Sequence, residues 1–321
     1  MSNIILAATK SFIFAAENTE LKEELKKIGY EIEFLEDLNS KLSFNPSGVT
    51  TVVAGDVFPI TKKEMSHFPN LKHIARFGTG FDCVNIKDAK NLGIQVTNIP
   101  SVSAHEVAEH ALAFIFALSK KLFYYDGAMK QDNWDRSRHD SIAGKKLGVV
   151  GLGKIGKELA KLAGSVGMEV VAFDVNYDEE FLEAHKVIKS DLTSLLVESD
   201  FVSLHLPLSD TTHNIIDGES ISAMKPNSYL INTARGELVD EGALLDAIND
   251  GRIAGAGLDV FSNEPPFDDS ILNQLVRHQN VIATPHAASF SPKVQFAVAR
   301  RVLHNILAVR DGRLEEADLV V

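Results

Sequence analysis

Residues 149–174 read VVGLGKIGKELAKLAGSVGMEVVAFD. A short apolar run ends at Gly151, Gly153 and Gly156, and an amphipathic stretch then leads to a second apolar run that ends in Asp174. This order of strand, glycine turn, helix, strand and acid is the dinucleotide-binding fingerprint, with the acid about 20 residues on, where it meets the ribose. The fingerprint predicts NAD as cofactor, because a carboxylate at position 174 would repel the 2′-phosphate of NADP.

The three glycines have different mechanical roles in such a turn. The first allows the tight turn, the second lets the pyrophosphate approach the backbone, and the third lets the helix pack closely on the strand. The helix that follows would then direct its partial positive charge at the phosphates.

Composition bounds the class of protein. The chain has 321 residues, enough for two domains, and 45% are hydrophobic. The net charge of −12, with no basic stripe, argues against nucleic acid as a partner. A single cysteine, Cys83, excludes an internal disulfide, and the longest strongly apolar run, 111–118, is too short to span a bilayer. We expect a cytoplasmic protein with no membrane partner, whose N-terminal apolar run is a first strand and not a signal peptide.

The first hundred residues alternate between strand and helix patterns. Residues 17–28 have helical spacing and end before Gly29. Strands are predicted at 4–7, 31–35, 51–54, 71–76 and 94–97. This alternation predicts a parallel, doubly wound sheet.

The pattern changes near residue 98. A long helix is predicted over 103–122, and residues 123–143 lack clear periodicity, as in an arm or long loop. Strands of a second sheet are predicted at 146–150, 170–173, 201–205, 228–232, 254–260 and 281–284. A helix over 291–310 follows this sheet, so the chain is expected to return to its first domain, crossing near 98–103 and 286–291.

Three chemically active side chains each follow a predicted strand of the second sheet: Arg235, Glu264 and His286. Ligands bind beyond the carboxyl ends of such strands. A guanidinium recognises carboxylate or carbonyl oxygens, and a carboxylate beside a histidine orients the ring and stabilises its protonated form. The set suits proton exchange with a carbonyl or hydroxyl oxygen better than three separate structural roles do.

Taken together, the motifs resemble those of the D-isomer-specific 2-hydroxyacid dehydrogenases, and the likeness covers almost the whole chain. Besides the fingerprint, they are GTGFD at 78–82, SVSAHEVAEH at 101–110, NTARG at 232–236, GLDVF at 257–261, EPP at 264–266 and PHAA at 285–288.

The resemblance implies an α/β fold of two doubly wound parallel-sheet domains. A flavodoxin-like substrate-binding domain would comprise residues 1–100 and 288–321, and an inserted Rossmann NAD-binding domain would comprise residues 101–287. The family implies a homodimer formed through 103–143 and a cleft that closes to exclude water.

The resemblance also implies roles for individual residues. Arg235 would bind the substrate carboxylate, His286 would be the general acid and base, and Glu264 would hold the His286 ring. Asp259 would contact the nicotinamide carboxamide. Backbone amides at Gly78, Thr79 and Gly80, with Arg76 as a second anion contact, would bind substrate. The remaining cofactor contacts would be Gly151, Gly153, Lys154, Ile155, Gly156, Asp174, His205, Pro207, Thr212, Thr233, Ala234 and His286.

The substrate stays open at this point. The text around Arg76 and 129–136 is most similar to 3-phosphoglycerate dehydrogenases, but Asp56 stands where those enzymes often carry an arginine for the phosphate. The alternatives are a glyoxylate, hydroxypyruvate or branched 2-keto acid reductase, a phosphonate-type dehydrogenase, and an NAD-sensing corepressor. Formate dehydrogenases usually have glutamine at the position of Glu264, so formate is disfavoured.

A metal site is not expected. His105 and His110 lie near two glutamates on the predicted helix, but their spacing of five residues differs from the HExxH pattern of zinc sites.

Overall fold

The computed structural model describes residues 3–8, 12, 23–24, 27, 29–34, 44–55 and 59–321. The chain divides into two compact units, the first made of residues 1–102 with 290–321 and the second of residues 103–289. Both breaks fall slightly C-terminal to the predicted domain boundaries.

The first unit is built on five parallel strands in the order β2-β1-β3-β4-β5. This is the flavodoxin-like order. The strands are β1 (Asn3–Ala8), β2 (Tyr30–Phe34), β3 (Val49–Ala54), β4 (His73–Arg76) and β5 (Gln95–Thr97). Short helices α1 (Lys62–Met65) and α2 (Ile86–Asn91) lie between them. The predicted helix over 17–28 falls largely outside the described residues, as do residue 35 and residues 56–58.

The second unit contains a parallel sheet of seven strands in the order β12-β11-β10-β9-β6-β7-β8. The order of the strands reverses between β6 and β9, and this switch point is where dinucleotides bind in a Rossmann fold. The strands are β6 (Lys146–Val150), β7 (Glu169–Phe173), β8 (Ile188–Lys189), β9 (Phe201–Leu204), β10 (Tyr229–Asn232), β11 (Gly255–Leu258) and β12 (Val281–Ala283). The predicted fold class is therefore confirmed.

Helices cover both faces of this second sheet. They are α3 (Ala104–Ser119), α4 (Leu122–Met129), α5 (Lys154–Ser165), α6 (Glu179–His185), α7 (Leu192–Glu198), α8 (Gly218–Ala223), α9 (Glu241–Asn249) and α10 (Ser270–Arg277). One apolar core lies under α3, α5 and α6, and the other lies under α7 to α10. A parallel sheet needs a layer of helices on each side, because its strands are apolar on both faces.

A last helix, α11 (Pro292–Arg310), returns to the first unit. The side chain of Ser291 accepts a hydrogen bond from Val294 N, and Pro292 occupies the first turn, where its missing N–H costs nothing. Buried α11 side chains such as Val298 and Val302 pack with Ile5 of β1. Beyond the helix, Leu319 forms an antiparallel bridge with Thr97 at the end of β5.

Two local features differ from the sequence prediction. The arm predicted over 123–143 begins with α4, whose side chains are all at least partly exposed, so no apolar face marks the helix. The two-residue strand β8 was not predicted, because two residues carry no alternation pattern. No helix in the described part of the chain is long and apolar enough to cross a membrane.

Candidate active site

The glycine turn between β6 and α5 is closely packed. A Cβ atom added to Gly156 would lie 2.0 Å from the carbonyl oxygen of Gly151, so only glycine lets the helix approach the strand this closely. A Cβ at Gly153, in contrast, would meet no described atom within 4 Å. Gly153 is also the N-cap of α5 and has no side chain to occupy the first N–H groups of the helix. The turn thus leaves open the place where a pyrophosphate would lie.

Asp174, just past β7, lies against the same turn. Its Oδ2 accepts a hydrogen bond from Leu152 N at 2.6 Å, and its Oδ1 accepts one from Asn176 N at 2.9 Å. The carboxylate is therefore held beside the glycine turn with a defined orientation. Lys154 and Ile155 form the first turn of α5, next to it.

Two buried polar atoms near the ends of β9 and β10 have no hydrogen-bond partner among the described residues: His205 Nδ1 and Thr233 Oγ1. His205 Nε2 is 2.9 Å from Ser203 Oγ, and burial lowers the pKa of His205 to about 3, so the ring is neutral. Buried polar groups without a partner are rare in native proteins, so these two atoms indicate a ligand that completes them. Nearby, Thr212 Oγ1 donates to the carbonyl of Pro207 at 2.7 Å and closes that loop.

Arg235 lies on the turn that follows β10. The buried side chain of Asn232 holds this turn, because its Nδ2 donates to Arg235 O at 2.7 Å and its Oδ1 accepts from Ala234 N at 3.0 Å. Arg235 Nη1 donates to the carbonyl of Ala234 at 2.7 Å. The backbone of the arginine is thereby fixed by the strand that carries it.

The next residue, Gly236, joins this turn to the loop that carries Glu264. A Cβ at Gly236 would lie 2.0 Å from the carbonyl carbon of Phe261. Phe261 N in turn donates to Glu264 Oε1 at 3.0 Å. The arginine turn and the glutamate loop are therefore in direct backbone contact.

Glu264 and His286 are joined by a hydrogen bond in which His286 Nδ1 is 2.9 Å from Glu264 Oε2. Both side chains are about one-third exposed, so the pair is reachable from solvent. The three predicted catalytic residues all lie past strands β10, β11 and β12, at one edge of the second sheet.

Asp259 organises the loop that carries His286. Its side chain is buried; Oδ1 accepts from Ala287 N at 2.8 Å and Oδ2 accepts from Ala288 N at 2.9 Å. His286 N donates to Asp259 O at 2.7 Å, and His286 itself has φ of +51°. This left-handed conformation is uncommon outside glycine and persists only where neighbouring contacts enforce it.

A second layer supports this loop. Thr284 Oγ1 donates to Asp259 Oδ1, and His110 Nε2 of α3 is 3.0 Å from Thr284 Oγ1. Sequence reasoning did not single out Thr284 and considered His110 only as a metal candidate. No group of three or more metal-binding side chains occurs within the described ranges.

In the first unit, Gly78, Thr79 and Gly80 follow β4. The Arg76 side chain is 1% exposed, and it donates to the carbonyls of Gly80 at 2.8 Å, Ala54 at 2.7 Å and Gly55. The predicted contact between Arg76 and a substrate anion does not fit this placement, because the guanidinium is buried and directed at backbone carbonyls.

The sequence model of the family "D-isomer specific 2-hydroxyacid dehydrogenase, NAD binding domain" matches residues 112–288, more than half of the chain. The chain belongs to the D-isomer-specific 2-hydroxyacid dehydrogenases. The predicted resemblance is thus confirmed, and the protein is an NAD-dependent oxidoreductase.

This dehydrogenase is similar in sequence to several named enzymes. A glyoxylate reductase of Korarchaeum cryptofilum is 36% identical over 80% of this chain and 78% of that protein. A hydroxypyruvate reductase of Thermotoga maritima is 37% identical over 89% and 87% of the two chains. A D-3-phosphoglycerate dehydrogenase of Methanocaldococcus jannaschii is 37% identical over 80% of this chain but only 49% of that protein.

Among solved structures, the D-lactate dehydrogenase of Aquifex aeolicus, determined with NAD and lactic acid, is similar to the dehydrogenase along its length. The TM-score is 0.90 at 30% identity, with 99% of each chain covered. NAD is the cofactor, as the fingerprint predicted. The residues described above fit this cofactor. The open turn at Gly153 suits the pyrophosphate, and the oriented carboxylate of Asp174 suits the ribose. The buried atoms of His205 and Thr233 that lack a partner among the described residues suit the polar groups of the nicotinamide.

Proposed function

We propose that this dehydrogenase reduces a small, unphosphorylated 2-keto acid with NADH, with hydroxypyruvate and glyoxylate as the first candidates. The 2.9 Å contact between Glu264 and His286, on the loop next to the Arg235 turn, carries the proposal. It supplies an oriented acid and base beside a guanidinium, which is the set that carbonyl reduction needs.

Each residue of this set has a distinct proposed role. When bound, NADH supplies the hydride equivalent that reduces the keto carbon. Arg235 binds the substrate carboxylate and stabilises the negative charge that develops on the carbonyl oxygen. His286, held through Nδ1 by Glu264, exchanges the proton with that oxygen through Nε2. Asp259 fixes the His286 loop and borders the nicotinamide site.

The first unit is proposed to bind substrate through the amides of Gly78, Thr79 and Gly80. An unphosphorylated substrate is favoured because Arg76 is buried and donates to backbone carbonyls. The reductases of glyoxylate and hydroxypyruvate among the relatives also match most of their own length. A second candidate is 3-phosphohydroxypyruvate, because two D-3-phosphoglycerate dehydrogenases match at 36% and 37% identity.

Initial rates test the proposal. We would measure hydroxypyruvate, glyoxylate, pyruvate, 2-ketoisocaproate and 3-phosphohydroxypyruvate with NADH and then with NADPH. Hydroxypyruvate or glyoxylate with NADH is expected to give a kcat/KM at least ~10-fold above the phosphorylated acid, the difference made by about 1.4 kcal/mol. Faster reduction of 3-phosphohydroxypyruvate would select the second candidate.

The variant His286→Ala is the control for the chemistry. It is expected to lower kcat by roughly 10²–10⁴-fold, the usual contribution of general acid–base catalysis, while NADH still binds. Comparable turnover in this variant would remove His286 from the mechanism. A wild-type protein that binds NADH but turns over none of the acids would favour an NAD-sensing binding protein.

We also propose that the chain forms a homodimer through residues 103–143. Exposed apolar side chains occur along this segment, with Phe123 63%, Met129 54% and Trp134 75% exposed. Contiguous exposed apolar residues mark interaction sites. The variant Phe123→Asp, Met129→Asp is expected to change a dimer into a monomer in light scattering, and a monomeric wild-type protein at micromolar concentration would refute the proposal.

A further inference from the structure

The loop of Gly78, Thr79 and Gly80 has an unusual hydrogen-bonding pattern. Its three successive carbonyl oxygens are each held by a different donor: Ile99 N binds Gly78 O at 2.9 Å, Asn98 Nδ2 binds Thr79 O at 2.6 Å, and Arg76 Nε binds Gly80 O at 2.8 Å. The N–H groups of Thr79, Gly80 and Phe81, which share peptide planes with these three carbonyls, donate to no residue that the structure describes.

The two side chains in this pattern are themselves tightly held. Arg76 donates at the same time to the carbonyls of Ala54 and Gly55, where β3 ends, so one buried guanidinium links the loops that follow β3 and β4. Asn98 is anchored from α11 and beyond, because Asn305 Nδ2 donates to Asn98 O and Asn98 N donates to Asp318 O, each at 3.2 Å. Asp318 is in turn bound by Arg301 through both carboxylate oxygens.

We infer that Arg76 and Asn98 are positioning residues that fix the carbonyls of Gly80 and Thr79 and so direct the N–H groups of the same peptide planes, those of Phe81 and Gly80, at a substrate carboxylate. The inference rests on the proposed function of this loop. Successive backbone N–H groups without a protein partner are available to bind an anion, and the direction of each N–H is set once the carbonyl of the preceding residue is fixed. Neither side chain needs to contact the substrate. The planar guanidinium suits Arg76 to this task, because it reaches three carbonyls in a fixed fork, which a lysine ammonium on a flexible stem does not.

Three variants test the inference. Arg76→Lys and Asn98→Ala each remove donors to the loop carbonyls. Thr97→Val is the matched control, because Thr97 is buried in the same sheet and its Oγ1 is 2.9 Å from His73 Nε2, with no bond to Gly78–Gly80. For each folded variant, calorimetry would give the Kd of the carboxylate probe oxamate in the presence of NADH, and kinetics would give KM and kcat for the keto acid.

Arg76→Lys and Asn98→Ala are expected to raise the oxamate Kd and the KM by ~10-fold or more, with kcat less affected and the NADH Kd changed less than about twofold. Thr97→Val is expected to change none of these by more than about twofold, because the Thr97 hydroxyl contacts His73 and makes no hydrogen bond to the carbonyls of Gly78–Gly80. If Arg76→Lys does not fold, the oxamate Kd of Asn98→Ala still tests the inference, because Asn98 is only half-buried. Folded variants with unchanged oxamate affinity would overturn the inference, as would an equal loss in Thr97→Val.

The oxamate measurement separates this inference from the proposed function. A wild-type protein that reduces keto acids, with all three variants alike, would refute the positioning roles and leave the function standing. Oxamate binding that depends on Arg76 and Asn98, in a protein that reduces no keto acid, would support the positioning roles and refute the function.

Discussion

Glu264 Oε2 lies 2.9 Å from Nδ1 of His286, and Glu264 Oε1 accepts a hydrogen bond from Phe261 N. The Glu264 carboxylate therefore links the imidazole ring of His286 to the backbone of the loop that carries Glu264. With Nδ1 committed to Glu264, proton exchange with a substrate falls to Nε2.

The variant Glu264→Gln is expected to lower kcat by roughly 10–100-fold, because a neutral amide stabilises the protonated ring less than a carboxylate does. NADH affinity should not change. Glu241→Gln is the matched control, because Glu241 of α9 accepts a hydrogen bond at 3.1 Å from Ser262 N, which lies on the same loop as Glu264. Equal losses in the two variants would mean that the packing of the loop, and not the contact between Glu264 and His286, is responsible.

Asp174 should decide between the two nicotinamide cofactors. In Asp174→Ala, kcat/KM with NADH is expected to fall by ~10-fold or more, and the preference for NADH over NADPH should shrink, because the carboxylate that repels a 2′-phosphate is gone. Asn176→Ala is the control, since it leaves intact the backbone N–H that binds Asp174. An unchanged preference in Asp174→Ala would show that other groups select the cofactor.

Two glycines of the same helix should respond in opposite ways to alanine. A Cβ at Gly156 would lie 2.0 Å from Gly151 O, so Gly156→Ala should lower the free energy of unfolding by about 3 kcal/mol or more and abolish NADH binding. A Cβ at Gly164 would meet nothing within 4 Å, and Gly164→Ala should be neutral or stabilising by up to about 1 kcal/mol. Urea unfolding and NADH fluorescence titration measure both effects, and a stable Gly156→Ala would contradict the observed packing.

Stability should fall in mild acid because of His73. Burial lowers the pKa of His73 to about 3, against an ordinary value of 6.5. Between these values the unfolded histidine is protonated and the folded one is not, so unfolding takes up a proton and stability falls as the pH falls below 6.5. The variant His73→Gln should reduce this slope by about 1.4 kcal/mol per pH unit, measured by urea unfolding. An identical slope in the wild-type protein and in His73→Gln would contradict the prediction.

Much of the fold followed from the sequence because its patterns are long and regular. The dinucleotide-binding fingerprint is one such pattern. It requires a strand, which here ends at Val150, then a turn of three glycines, and then an acid, here Asp174, and few other sequences combine these features. Every predicted strand of the second sheet is present, with ends displaced by at most two residues. The two-residue β8 and the exposed helix α4 have no periodic apolar pattern, so nothing in the sequence marks them.

The site was predictable only in part, for a related reason. Arg235, Glu264 and His286 follow strands, so topology alone brings them to one edge of the sheet. The burial of Arg76 depends on where the carbonyls of Ala54 and Gly80 point, and no sequence pattern records that. The position of Asn98 could have been recognised from the sequence. It directly follows β5, at the edge of the sheet where ligands are expected.

Helix α11 has a consequence for the order in which the protein forms during synthesis. The second unit is one continuous stretch, 103–289, and all of it is synthesised before α11. About two hundred residues separate β5, the last strand of the first unit, from α11. Until they have been translated, the first unit lacks Val298, Val302 and the rest of the helix. One apolar face of its sheet therefore stays uncovered during that time. We therefore expect the cofactor-binding unit to fold first on the nascent chain, and the unit that begins the polypeptide to be completed last.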